Sequence, residues 1–278
     1  SWVNNLRLNS VMNKNLLADM ACIIGLAHDL GKSTRSFQAY LKTQDQGKKI
    51  IMKNHIETKH SPLGAFCGFY LVREYVRLRG ASDTVGDYLP LAAFLTIQRH
   101  HGDLISLVDA ICKYKRDDIV KYLDDVDREQ WDELLADVLT EVPCLEHCNY
   151  AWFREKTNCY EHDMGELRKF ARTMGKKQKP DYYFITSLFY STLLDADKSD
   201  AAGLNTEYTG NVIPGSLVDD YQRISGYDHP RTDMDRLRRE IYEQAANIKA
   251  AVEGDRHILS INVPTGTGKT LSALSVAV

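Results

Sequence analysis

The chain has 278 residues, is 44% hydrophobic and 26% charged, and carries a net charge of −3. That balance supports a buried core and excludes a disordered or collagen-like chain. It also leaves no chain-wide basic footprint, so any nucleic-acid contact must use a local patch or a bound metal. No apolar run approaches the ~18 residues of a membrane span. The opening Ser1-Trp2-Val3-Asn4-Asn5 lacks the pattern of a signal peptide and an initiator Met, which predicts a trimmed or processed start. Six cysteines without a secretory signal are expected as reduced thiols in a cytoplasm.

Helical periodicity dominates residues 12–250. From Leu16 to Ala27 the apolar residues fall at helical spacing, predicting a mostly buried helix that ends at His28-Asp29. Ser61-Pro62 reads as an N-cap followed by proline at the first helical position. Leu91–Ile97 is a second apolar helix, running into His100-His101. Residues 117–141 read as acidic, solvated helix faces. A further apolar helix, Tyr182–Leu194, leads into Asp195-Ala196-Asp197. Residues 202–231, rich in Gly and Pro, read as a loop-rich connection, and 232–252 as a charged helix. The run His257–Val263 is β-type and feeds Pro264-Thr265-Gly266-Thr267-Gly268-Lys269-Thr270, so a strand, phosphate loop and helix start are expected in that order.

Two constellations carry chemistry. In the first, His28-Asp29-Leu30-Gly31-Lys32 is followed by His60-Ser61-Pro62, His100-His101 and Asp195-Ala196-Asp197. Imidazole and carboxylate are good ligands for a divalent transition metal. Lys32 lies three and four residues after Asp29 and His28, so it can share their face and bring positive charge to a phosphate. Each group is expected at the polar end of a buried helix, and helix ends meeting in one cleft would make a metal site. Taken singly, each histidine reads as well as a packed or hydrogen-bonded core residue. In the second constellation, Gly266 and Gly268 let backbone N–H groups approach phosphate, Lys269 would reach the β/γ-phosphates and Thr270 would bind Mg²⁺.

The ordered set resembles the HD superfamily of metal-dependent phosphohydrolases, and with its phosphate loop it is most similar to the HD nuclease of type I CRISPR nuclease–helicases. The resemblance spans roughly residues 15–200. It implies an all-α HD domain over 1–205, a linker and connecting helix over 206–254, and the incomplete start of a RecA-like helicase domain over 255–278. By resemblance His28, Asp29, His60, His100, His101 and Asp195 would be metal ligands, with Asp197 the alternative to Asp195. Asp29 would bridge one or two divalent ions (Mn, Ni, Co, Fe, Zn or Mg), and Lys32 would contact the scissile phosphate. The family carries a further histidine before the HD pair, and no histidine precedes His28 here. The resemblance implies cleavage of single-stranded DNA beside an RNA-guided CRISPR surveillance complex of the Cascade type, in the cytoplasm and without a membrane. ATP and Mg²⁺ would serve the full-length helicase only. Eight residues follow Thr270, so the chain is expected to be a fragment that neither hydrolyses ATP nor unwinds DNA. The rival readings are an HD phosphohydrolase acting on nucleotides and a catalytically inactive docking module.

Three features lie outside these sets. Cys144/His147 and Cys159/His162 have types and spacing compatible with zinc, or with a core-facing helix. Arg168, Lys169, Arg172, Lys176, Lys177 and Lys179 form a basic run, by default a solvated helix end and otherwise a DNA-backbone contact. Lys48-Lys49 and Lys53 are a similar, weaker candidate.

Overall fold

The computed structural model describes residues 14–53, 55, 58–80, 84–111, 113–177, 180–203, 214–251 and 260–277. Among them the regular elements are α-helices with short 3-10 turns, and the one β-type pairing is an isolated bridge between Thr34 and Val126. The chain divides into two compact units, Ser1–Asn205 and Thr206–Val278.

The first unit begins with α1 (Lys14–Ala27), a 3-10 turn (Leu30–Ser33), α2 (Arg35–Lys42) and α3 (Gln46–Lys53). Then come α4 (Ser61–Leu78), α5 (Thr84–Arg99), α6 (Leu107–Ile111), α7 (Arg116–Asp124) and α8 (Arg128–Glu141). It ends with α9 (Tyr150–Lys156), α10 (Tyr160–Lys177) and α11 (Pro180–Ala201). Helix α1 buries Leu17, Met20, Ile23, Ile24 and Ala27, a set recurring every three or four residues and so lying on one face. Helix α4 is buried almost all round from Pro62 to Val72. It packs against α1, α5, α7 and α9, which is why its sequence is apolar without a clean stripe. The acidic stretch 117–141 forms α7 and α8 with exposed acidic faces, while Ile119, Leu123, Trp131 and Val138 reach the core. Trp131 is fully buried and meets the ring of Phe153 edge-on at 5.4 Å, a geometry that aromatic quadrupoles favour.

Polar ties fix the packing. The Tyr70 hydroxyl donates to Asp163 Oδ2 at 2.8 Å, and Arg73 pairs with the same oxygen at 2.7 Å, tying α10 to α4. Burial would raise the Asp163 carboxyl, but the bonds from Arg73 and Tyr70 outweigh it and hold it below its ordinary value.

The second unit contains α12 (Leu217–Ile224), α13 (Asp233–Ala251) and α14 (Lys269–Ala277). Helix α14 packs on α13 and α12, and Tyr242 on α13 donates to Asp219 on α12 at 2.7 Å.

Three local expectations are revised. The connection read over 202–231 contains α12. Helix α11 runs through Asp195 to Ala201, so the aspartates sit within it. The expected strand His257–Val263 lies partly outside the described residues, and 260–263 is not strand. A single strand has no ladder to complete its backbone hydrogen bonds.

Candidate metal centre

The first unit brings three chain turns together. His28 closes α1, its N–H donating to the Ile24 carbonyl at 3.2 Å, and the 3-10 turn begins after Asp29. His60 precedes α4, whose second residue is Pro62. His100 and His101 follow the last residue of α5. Beyond a helix end two adjacent side chains escape the ~100° step that would part them on the helix itself. Their rings lie 3.8 Å apart, centre to centre. Close approach of the first two turns requires glycine: a Cβ on Gly64 would lie 2.5 Å from the His28 carbonyl oxygen.

His60 Nε2 lies 3.2 Å from His100 Nε2 and 3.1 Å from His101 Nε2. These three ligand atoms lie within 4.8 Å of one another. His28 stands against His100 edge-on, ring centres 5.2 Å apart. Its Nε2 is 3.0 Å from Asp29 Oδ1, and Lys32 Nζ is 2.7 Å from Asp29 Oδ2. The ring of Phe37 backs His60 at 4.9 Å.

Burial disfavours the charged forms of His60, His100 and His101. Burial, then the neighbouring His100 and His101, then Lys32 and His28, pushes the His60 pKa down to about 2. Burial likewise lowers His100 to about 4, against the raising effect of its bond to Ile97, and lowers His101. The Nδ1 atoms of His28 and His100 lie 2.5 and 2.7 Å from the carbonyls of Gly25 and Ile97. A proton held there leaves Nε2 as a lone pair facing the cluster.

The residues fit a divalent cation. The Nε2 atoms of His60, His100 and His101 face one point, and imidazole nitrogens are good ligands for a divalent transition metal. His28 Nε2 and Asp29 Oδ1 are buried with no hydrogen-bond partner, their 3.0 Å separation lacking hydrogen-bond geometry. Buried polar atoms without partners are costly, and a cation between them would satisfy the set.

Of the two aspartates in Asp195-Ala196-Asp197, Asp197 faces this cluster, its Oδ1 3.7 Å from His28 Nε2, and its charge is felt by His100 and His101. Asp195 is exposed. Two residues turn a helix by about 200°, so the two carboxylates point apart, and Asp197 rather than Asp195 lies beside His28. Nothing local in Asp-Ala-Asp distinguishes them. Sequence reasoning also missed Phe37, for which no signal exists short of the folded contact.

Cys144, His147, Cys159 and His162 are not gathered. Among the described residues the group able to hold a metal is His60, His100 and His101. His147 instead meets Glu74 Oε1 at 2.8 Å, and Cys144 and Cys159 are exposed.

In the second unit, Gly266 and Gly268 take φ of 81° and 83°, the left-handed region that only glycine enters at little cost. Thr267 is buried and donates to the Pro264 carbonyl at 2.7 Å. Arg238 on α13 donates from Nε to the Gly266 carbonyl at 2.9 Å. The loop opens on a cavity of about 690 Å³ that Lys269, Thr270, Arg231, Arg238 and Arg239 help to line.

No described helix is long and apolar enough to cross a membrane. No family model matches the chain, and no solved structure matches it. The chain is similar to the CRISPR-associated nuclease/helicase Cas3 of Haloferax volcanii, 25% identical over 284 residues, 92% of this chain and 28% of that protein. It thus spans less than a third of the relative's length, and the similarity supports a Cas3-related chain.

Proposed function

We propose that residues 1–205 form a metal-dependent nuclease that hydrolyses phosphodiester bonds of single-stranded DNA, in CRISPR interference in the cytoplasm. The observation that carries this reading is the convergence of His60, His100 and His101 beside two orphaned ligand atoms, His28 Nε2 and Asp29 Oδ1. The name of the similar protein, a CRISPR-associated nuclease/helicase, supplies the biological setting. On this reading the ligands are His28, Asp29, His60, His100, His101 and Asp197, holding one or two ions. Histidine-rich ligation favours Mn, Fe, Co, Ni or Zn over Mg. The bound ion supplies Lewis acidity toward water and a phosphoryl oxygen.

The chain's own groups do the rest. Asp29 holds Lys32 at 2.7 Å, aiming an ammonium at a phosphate that enters the cleft, where it offsets charge developing on oxygen. The Nδ1 contacts of His28 and His100 fix their ring orientations. Phe37 limits the freedom of His60. No covalent protein nucleophile is needed. In the second unit Gly266, Gly268, Lys269 and Thr270 are the start of an ATP phosphate site, with Arg238 bracing the loop through the Gly266 carbonyl. That site belongs to a helicase, and the partner on this reading is a Cascade-type surveillance complex.

The test is incubation of metal-stripped protein with circular single-stranded DNA and Mn, Ni, Co, Mg or Zn in turn, beside Asp29→Ala. Metal-dependent linearisation lost in Asp29→Ala is expected. No cutting with any ion by folded protein would overturn the proposal.

A further inference from the structure

Between the HD turn and His60 the sequence changes character. Residues 32–59 hold seven Lys and Arg against two acids, Asp45 and Glu57, a net +5 in a chain whose total is −3. Helices α2 and α3 lie in this segment and fold back on each other, Thr43 Oγ1 reaching Met52 Sδ at 3.5 Å and Lys49 Nζ standing 5.5 Å from the Tyr40 ring centre.

The hairpin is anchored at the candidate centre, at the start of α2 by the Arg35 and Ser36 N–H groups donating to Asp125, and at the end of α3 by Thr58 donating to the Met52 carbonyl. Phe37 on α2 packs on His60, and Gln38 Nε2 donates to the Lys32 carbonyl at 2.9 Å. Beyond those anchors Arg35, Lys42 and Lys48 are exposed, and Ile50 and Ile51 are 65% and 62% exposed. Asp45 is engaged in starting α3, its Oδ1 accepting from the Lys48 N–H at 3.1 Å. Among the described residues no carboxylate pairs with Arg35, Lys42, Lys48 or Lys49. Unpaired cations cluster at a cost from self-repulsion, which an incoming polyanion removes.

We infer that the α2–α3 hairpin is the track along which the backbone of a single-stranded DNA reaches the centre, Lys42, Lys48 and Lys49 contacting successive phosphates and Ile50 and Ile51 lying under the bases. This rests on the nuclease reading above and adds the surface that delivers the strand. The rigid link through Phe37 and Gln38 places the basic strip in continuity with Lys32, the cation proposed to meet the scissile phosphate. An anionic lipid surface shares the charge but would leave that continuity without a use.

The experiment is fluorescence anisotropy of a labelled oligonucleotide of about twenty bases with the whole chain in EDTA, over a series of salt concentrations. The unmodified chain is compared with Lys42→Ser/Lys48→Ser/Lys49→Ser and with a control of equal charge change, Lys115→Ser/Lys121→Ser/Lys156→Ser, each checked for fold by circular dichroism. Loss of three phosphate contacts should weaken binding by about 10- to 100-fold and flatten the slope of log K against log salt by about 2. The control should retain both. Equal loss in the two variants, or no loss in the hairpin variant, would overturn the inference, as would binding to phosphatidylglycerol vesicles without binding to the oligonucleotide. The nuclease reading is judged apart, by metal-dependent hydrolysis of bis(p-nitrophenyl) phosphate by the unmodified chain. Its failure would leave the anisotropy result standing.

Discussion

Gly31 and His60 meet backbone to backbone: a Cβ built on Gly31 would lie 2.0 Å from the His60 carbonyl oxygen. Gly64 makes the reciprocal contact with the His28 carbonyl. The turn carrying His28 and Asp29 therefore rests directly on the turn carrying His60, because neither presents a side chain at the crossing. The approach of His28 and Asp29 to His60 depends on these two glycines.

Gly31→Ala should consequently damage stability and metal binding together. Relief of the contact requires backbone to move, and overpacking of this kind costs about 1–3 kcal/mol or more. Urea denaturation and metal titration of the same samples check this. An alanine variant with unchanged stability and unchanged metal affinity would show that the two turns can part freely.

Metal affinity should separate Asp195 from Asp197 on α11. Asp197→Ala is expected to weaken binding of Co²⁺ or Mn²⁺ by about 10-fold or more, the range seen for groups that orient or complete a metal site. Asp195→Ala, at an exposed position, should leave it unaltered. Calorimetric titration distinguishes them, and the opposite ranking would restore Asp195 as the ligand.

Acid should unfold the first unit partly through Glu74. The bonds from Arg77 and, against opposing burial, from His147 hold its carboxyl at about 2, below the ordinary 4.5. A depressed carboxylate contributes stability that is fully present above about 4.5 and lost as pH falls toward 2. The difference in unfolding free energy between the unmodified chain and Glu74→Gln should therefore close across that window. A gap that persists unchanged at pH 2 would mean that Glu74 acts through packing alone.

Cys144→Ser/Cys159→Ser should leave the bound-metal stoichiometry unchanged, since the structure holds both thiols exposed and His147 against Glu74. Elemental analysis of the purified variant is the measurement, and loss of one zinc equivalent would revive a second site.

What the sequence determined by itself was everything governed by neighbours along the chain. Apolar spacing in Leu16–Ala27 and Leu91–Ile97 announced α1 and α5, because a helix is built from contacts three and four residues apart. Lys32 could be placed beside Asp29 for the same reason. Gly266 and Gly268 stood out in the sequence as residues that let backbone approach a phosphate, and both take the left-handed region that other residues avoid. Tertiary structure alone decided the rest. Asp197 rather than Asp195 faces His28 because the rotation of α11 is set by its packing on α5 and α1. The run at 257–263 had strand composition, yet 260–263 is not strand, since a strand exists only through partners elsewhere in space. The pairs at 144–162 had ligand chemistry, yet all four side chains are exposed and His147 turns to Glu74. The convergence of His60, His100 and His101 depends on α4 and α5 crossing at close range, a relation between segments forty residues apart that no local pattern encodes.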